Sequence, residues 1–202
     1  MFEVCINKIM GNKMFLNEEF TLLEKVILLL LYLKDKLPIF GKLRLQKMVF
    51  LISQDIPELE EELDFEAYKY GMYDQTIDDT LEGLELDEFV AIKEDDNKIM
   101  ITPKGVEKAK ELVKEFSKKV GILEEVKELF TDLTEDEILA LIYSKFPEFA
   151  KYSEKLEEIK KKRKNLAISL YIKRKVSLEA ASEIAGTSIK EFIGMLRERK
   201  LM

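Results

Sequence analysis

The chain has 202 residues, with 40 acidic and 33 basic side chains and a formal net charge of −7. Apolar residues make up 47% and charged residues 36%, a balance that excludes a disordered chain. The longest apolar run, Val26–Leu33, is far short of the roughly 20 residues a membrane-spanning helix needs.

The residue inventory narrows the chemistry further. There is no His, which removes Ser-His-Asp triads, Cys-His dyads, His-based acid–base catalysis and most zinc sites. The lone Cys, Cys5, cannot form an internal disulfide and fits a reducing cytoplasm. No phosphate loop, dinucleotide glycine pattern or nucleophile elbow occurs. The expectation is a protein without enzymatic activity, cofactor or metal. Gly (8) and Pro (4) are scarce, so long helices are expected.

Residues 1–19 read as an extension, with Met10 and Met14 as alternative starts, a short strand over Phe2–Ile6, and no basic start or cleavage site of a signal peptide. Thr21-Leu-Leu-Glu24 is a capping box that opens a helix running to about Lys36, before Pro38. Its apolar middle predicts a central core helix or a subunit interface. A second helix spans Gly41–Gln54, with Arg44 and Lys47 on its outer side. The alternation Phe65-Glu-Ala-Tyr-Lys-Tyr70 reads as a short strand broken by Gly71, its tyrosines packing inward.

A third helix over Asp74–Leu86 displays Asp74, Asp78, Asp79 and Glu82. Phe89–Lys93 and Lys98–Thr102 form a hairpin around the acidic tip Glu94-Asp-Asp-Asn97. Thr102 then caps a helix with Pro103 at its first position, running to about Lys119. Gly121 marks a break. Helices over Leu123–Phe130 and from the capping box Thr134-Glu-Asp-Glu137 to Pro147 follow, then one long or two broken charged helices over Glu148–Lys175.

The order helix, helix, strand, helix, hairpin, helix is that of a winged helix. The exit Ile101-Thr-Pro-Lys-Gly105 resembles that of many winged-helix regulators. Leu43-Arg-Leu-Gln-Lys-Met-Val-Phe-Leu51, Phe65, Tyr68-Lys-Tyr-Gly71 and Leu81 resemble the Panacea (SocA-like) antitoxin and adaptor domains over residues 20–117.

The C-terminal 40 residues carry the second signal. A helix over Asn165–Lys175 is followed by Ser177–Gly186 and by a helix from Thr187 to Leu196. Ser182 and Gly186 stand four apart, a small residue where two helices cross and a Gly where the turn needs left-handed backbone. Ile184, Ile189, Phe192, Ile193 and Leu196 form the packing face. Ala181-Ser-Glu-Ile-Ala-Gly-Thr-Ser188 with Phe192 resembles small prokaryotic helix-turn-helix proteins paired with PIN-domain toxins. That resemblance implies DNA binding or antitoxin behaviour.

Charge is sorted along the chain. Residues 160–202 hold 12 basic and 4 acidic side chains, a net of +8, which leaves −15 over the first 159. The candidate DNA-binding residues are Lys161, Lys162, Arg163, Lys164, Lys173, Arg174, Lys175, Thr187, Ser188, Lys190, Arg197, Arg199 and Lys200. Glu191 and Glu198 oppose phosphate contact on the last helix.

The fold expected is mainly α with a small β-hairpin wing. It divides into an extension (1–19), a winged helix (20–119), a helical connector (120–162) and a helix-turn-helix (163–202). The function expected is a DNA-binding regulator, antitoxin-like and homodimeric, with no membrane partner and a toxin as candidate ligand of the acidic N-terminal part. The dimer face is expected on the helix over 22–33 or on the connector. The alternative is a protein-interaction or toxin-neutralising module without DNA binding.

Overall fold

A computed structural model describes residues 20–93 and 95–201. The strand expected over Phe2–Ile6, Cys5, the two alternative starts and Glu94 lie outside the described residues.

Helix α1 (Leu22–Lys36) starts at Thr21, whose side chain accepts from Glu24 N while the Glu24 carboxylate accepts from Thr21 N. Its regular backbone ends at Leu33, and Lys34 and Asp35 turn left-handed. Strand β1 (Ile39–Phe40), α2 (Lys42–Ser53) and the single turn α3 (Pro57–Glu60) follow. Next come β2 (Glu66–Tyr68), β3 (Gly71–Tyr73), α4 (Gln75–Leu86), β4 (Val90–Lys93), β5 (Lys98–Ile101) and α5 (Pro103–Glu115). The rest is helical: α6 (Val120–Phe130), α7 (Glu135–Lys145), α8 (Pro147–Ala150), α9 (Leu156–Ile172), α10 (Leu178–Ala185) and α11 (Ile189–Glu198). The described residues are mainly helical, with two small antiparallel sheets ordered β1-β5-β4 and β2-β3.

Helix α1 is the hub. Val26 to Leu31 are 0–1% exposed, covered by α4, α5, α6 and β5 of the same chain. Its apolar surface is therefore spent inside the protomer, which corrects the expectation of a dimer face there: a second copy would find nothing apolar left to cover. Its C-terminal end is closed by Lys127 of α6, whose buried Nζ donates to the carbonyls of Leu30 (2.6 Å), Leu33 (2.7 Å) and Leu37 (2.9 Å). A cation suits the negative end of a helix and fills orphan carbonyls.

The hairpin of β4 and β5 pairs Val90 with Ile101 and Lys93 with Lys98. The exit into α5 is tight. A Cβ added at Gly105 would lie 2.2 Å from the Phe89 carbonyl oxygen and 2.7 Å from Ile101 Cγ1. The first contact is with backbone, which cannot swing away. Gly105→Ala is expected to cost about 2 kcal/mol, read as a lower denaturant midpoint in chemical unfolding.

Several local expectations are corrected. Lys47 points inward and is 2% exposed, because α2 is covered on both flanks by β3 and α7. Asp74 is not displayed on α4. It is the buried N-cap, accepting from Thr76 N and Asp64 N. Gly71 does not end an isolated strand; with φ +88 it opens β3, which pairs back on β2 through Tyr68↔Gly71. That turn lifts Tyr68 (51%) and Tyr70 (43%) into solvent rather than the core. Gly121 sits inside α6 rather than at a break.

The N- and C-terminal parts meet through aromatics. Phe50 of α2 makes edge-on contacts with Phe65, Phe146 and Phe149 at centroid distances of 5.0, 4.8 and 5.4 Å. Helix α9 packs on both α7 and α10. It is continuous through residue 165, where the sequence suggests a new helix, and through residue 163, where the connector was divided from the C-terminal unit.

Candidate nucleic-acid interface

The C-terminal unit is built by its caps. Ser177 accepts from Ala180 N at 3.2 Å and starts α10. Gly186, at φ 65 and ψ 43, ends it in the left-handed conformation, and Thr187 N closes the turn on Ser182 O at 3.0 Å. Two residues later Ser188 starts α11 with a capping box: its side chain accepts from Glu191 N, and the Glu191 carboxylate accepts from Ser188 N. Ser182, 3% exposed, lies at the close approach with its hydroxyl donating to Glu179 O. Ala181, Ala185, Phe192 and Leu196 are fully buried, and Tyr171 of α9 meets Phe192 edge-on. Ile189 departs from the expected packing face and is 41% exposed.

The guanidinium of Arg163 lies over the turn, with Nη2 3.5 Å from Gly186 O. A Cβ at Gly186 would fall 2.2 Å from it. The arginine can move, but the backbone angle cannot be relieved. Gly186→Ala is expected to cost about 1–2 kcal/mol in thermal or chemical unfolding.

The thirteen residues singled out in the sequence do not form one footprint. Lys162 is tied to Asp136 (2.8 Å) and Glu158 (2.6 Å), and those hydrogen bonds raise its pKa. Lys173 donates to Asp132 O (2.6 Å) and to the Glu137 carboxylate (2.8 Å). Lys175 donates to Glu128 O (2.6 Å). Arg174 lines a cleft with Glu124, Glu125 and Glu128 of α6. Residues 173–175 therefore face the acidic body, about 16 Å along α9 from Lys162 at the helical rise. A tally of charges along the chain cannot show which carboxylates of residues 124–137 will meet them.

The rest sit around the turn and α11. Lys161, Lys164, Lys190, Arg197 and Lys200 are exposed and form no salt bridge among the described residues. Arg199 is exposed and donates to Asn165 Oδ1 at 2.7 Å, joining the end of α11 to α9; the sequence reading missed Asn165. Ser188 is engaged as a cap, and Thr187 is half-buried with its hydroxyl oxygen lacking a hydrogen-bond partner. Glu191, the expected opponent of phosphate, is occupied as well. Hydrogen bonds from the Ser188 backbone and hydroxyl, with Lys164 nearby, hold its carboxyl below the usual range.

The junction holding this unit to the body was also missed in the sequence. Glu137, buried at 3% exposure, accepts from Lys173, from Ser169 and from Thr134 N. Burial opposes its charge, but these hydrogen bonds prevail and lower its pKa. The capping box showed Glu137 in the sequence, yet not its second role.

Among the described residues no helix is long and apolar enough to cross a membrane. A search of curated proteins finds no match to the chain. Residues 145–202, the span of α8 to α11, are similar to the uncharacterised protein family UPF0175, and residues 20–117 lie outside that match.

Proposed function

We propose that this protein is a non-enzymatic, antitoxin-like DNA-binding regulator of the cytoplasm. It meets duplex DNA with the outward face of α10 and α11 and the adjoining N-terminal half of α9. One observation carries the reading: five basic side chains, exposed and without salt bridges among the described residues, stand on the N-terminal half of α9 (Lys161, Lys164) and along and just past α11 (Lys190, Arg197, Lys200), beside a left-handed-glycine turn that positions two short helices. Helix N-termini, exposed Lys and Arg, and a second helix free on one side are what phosphate and groove contact require.

The interleaving of β1, β4 and β5 with α1, α2, α4 and α5, in the sheet order β1-β5-β4, supports reading residues 20–119 as a winged helix. That unit keeps away from DNA, since α4 exposes Asp79 and Glu82 and the hairpin tip exposes Asp95 and Asp96. Two copies acting together are required for useful affinity, because one short helix-turn-helix makes few contacts. With α1 interior, the connector helices are the faces left for pairing. The test is a mobility-shift titration of the full chain on duplex DNA at two salt concentrations. A shift that weakens steeply with salt supports the reading, and no shift at low salt overturns it.

The second reading is a protein-interaction or toxin-neutralising module without DNA binding. It is favoured by the acidic side of α4, where Leu86 is 84% exposed beside Asp87 and Glu88. In that case a basic partner binds the N-terminal part, and Leu86→Ser weakens its capture in a pull-down.

A further inference from the structure

Among the described residues two lysines are buried, and they are satisfied very differently. Lys127 donates to three carbonyls, which matches all three hydrogens of an ammonium. Lys47 donates to the Met72 carbonyl alone. No carboxylate pairs with it among the described residues. A buried cation with two unmatched donors is costly unless an anion joins it. Burial pushes its pKa down to about 7.

Lys47, though only 2% exposed, stands beside open space. Lys47 lines a cleft of about 480 Å³ between α2, the β2-β3 hairpin and α7, whose other walls include Tyr68, Tyr70, Tyr73, Leu43 and Leu139. Gly71 also lines it: a Cβ there would lie 3.0 Å from Tyr143 Cε1 and 3.9 Å from Lys47 Nζ, so the missing side chain lets the tyrosine ring and the ammonium approach this backbone. Tyr68 and Tyr73 face each other with centroids 5.2 Å apart at 34°. The tyrosines and the two leucines give the cleft apolar walls, the kind of lining that takes an aromatic ring.

The other charges select the ligand's valence. Lys42 at the rim is engaged by Glu82 (3.0 Å) and Asp78 (3.6 Å), and Lys155 by Glu158 (2.8 Å). Glu135 and Asp136 also line the cleft. One positive charge is available beside the cleft and negative charge stands at the rim, which suits a monoanion and repels a dianion such as sulfate.

We infer that this cleft is a binding site for a small aromatic monocarboxylate, its carboxylate on the Lys47 ammonium and its ring against Tyr68, Tyr73, Leu43 and Leu139. The site does not depend on DNA binding.

The experiment is calorimetric titration of the full chain with naphthoate, with its neutral counterpart naphthamide, and with naphthoate in the presence of sulfate. Naphthoate is expected to bind saturably at one site, and naphthamide about tenfold more weakly or worse. Sulfate is expected not to displace naphthoate. Lys47→Met abolishes naphthoate binding while far-ultraviolet dichroism stays native. Should that variant fail to fold, Tyr68→Ala, a change at an exposed position, carries the test with an expected loss of about fivefold. The inference is overturned if naphthoate shows no saturable binding at millimolar concentration or naphthamide matches it. It is equally overturned if sulfate displaces naphthoate, or if folded Lys47→Met or Tyr68→Ala binds as tightly as the parent.

Discussion

Replacing Lys161, Lys164, Lys190 and Arg197 together by Ala is expected to weaken binding to duplex DNA about 10³-fold at about 0.1 M salt. Each is exposed and without a salt bridge, so none has an internal role to lose. Each phosphate contact releases counterions and adds roughly 0.9 to the slope of log affinity against log salt. Four lost contacts in each copy therefore flatten the slope by about 3.6 per copy bound, and one copy's share alone compounds at about 0.1 M salt to a loss of that size. The variant should melt with the parent, because no buried group changes. The paired control is Arg174→Ala with Lys175→Ala: these side chains face the acidic surface of α6, and the salt slope should stay as it was. Equal losses in the two variants would mean that nonspecific charge, not the face around α11, sets the affinity.

Glu137→Ala is expected to cost about 3–4 kcal/mol of folding stability. The carboxylate is interior and serves three donors: the Thr134 backbone, the Ser169 hydroxyl and the Lys173 ammonium. Its removal takes away the carboxylate half of the α7 capping box, leaves the Ser169 hydroxyl without its partner and leaves the Lys173 ammonium with Asp132 O alone. Chemical denaturation of parent and variant measures the difference. Glu137→Gln keeps the volume and an acceptor but loses the charge, so it should fall between them. The same carboxyl gives a pH signature. Its folded pKa lies below the ordinary 4.5, so its stabilisation is fully present above that value and is lost as pH falls through the lowered folded pKa. The parent should lose stability over this acid window, and the alanine variant should lose less.

What the sequence reveals of this protein follows from how local each signal is. Caps, periodicity and the hairpin depend on residues three or four apart, so Thr21, Thr102, Thr134 and Ser177 mark helix starts that the structure bears out, while the last helix, expected from Thr187, is capped one residue later by Ser188. The turn at Gly186 was legible for the same reason. Strand β3 was hidden because its pairing depends on the left-handed Gly71 and not on an alternating pattern. Lys47 looked like a surface residue, since a charged side chain on a helix is ordinarily outside; only the covering of α2 by β3 and α7 puts it inside. The basic run around residue 162 read as one patch because linear charge carries no partner information. Asp136 and Glu137 come from 26 to 36 residues away.

Helix α9 belongs to both halves of the protein at once. Its first turns support the turn at Gly186 through Arg163, and its last turns grip Glu137 through Ser169 and Lys173. No hinge separates the two. The helix is a stiff strut roughly 26 Å long, so a push on its outer end arrives undamped at α7, which walls the tyrosine-lined cleft. A cut at residue 158 or 163 would split this strut and strip the cover from Ala167, Ile168 and Leu170. The last forty residues are thus a limb sharing its bone with the trunk, and dissection by truncation would destroy what it set out to isolate.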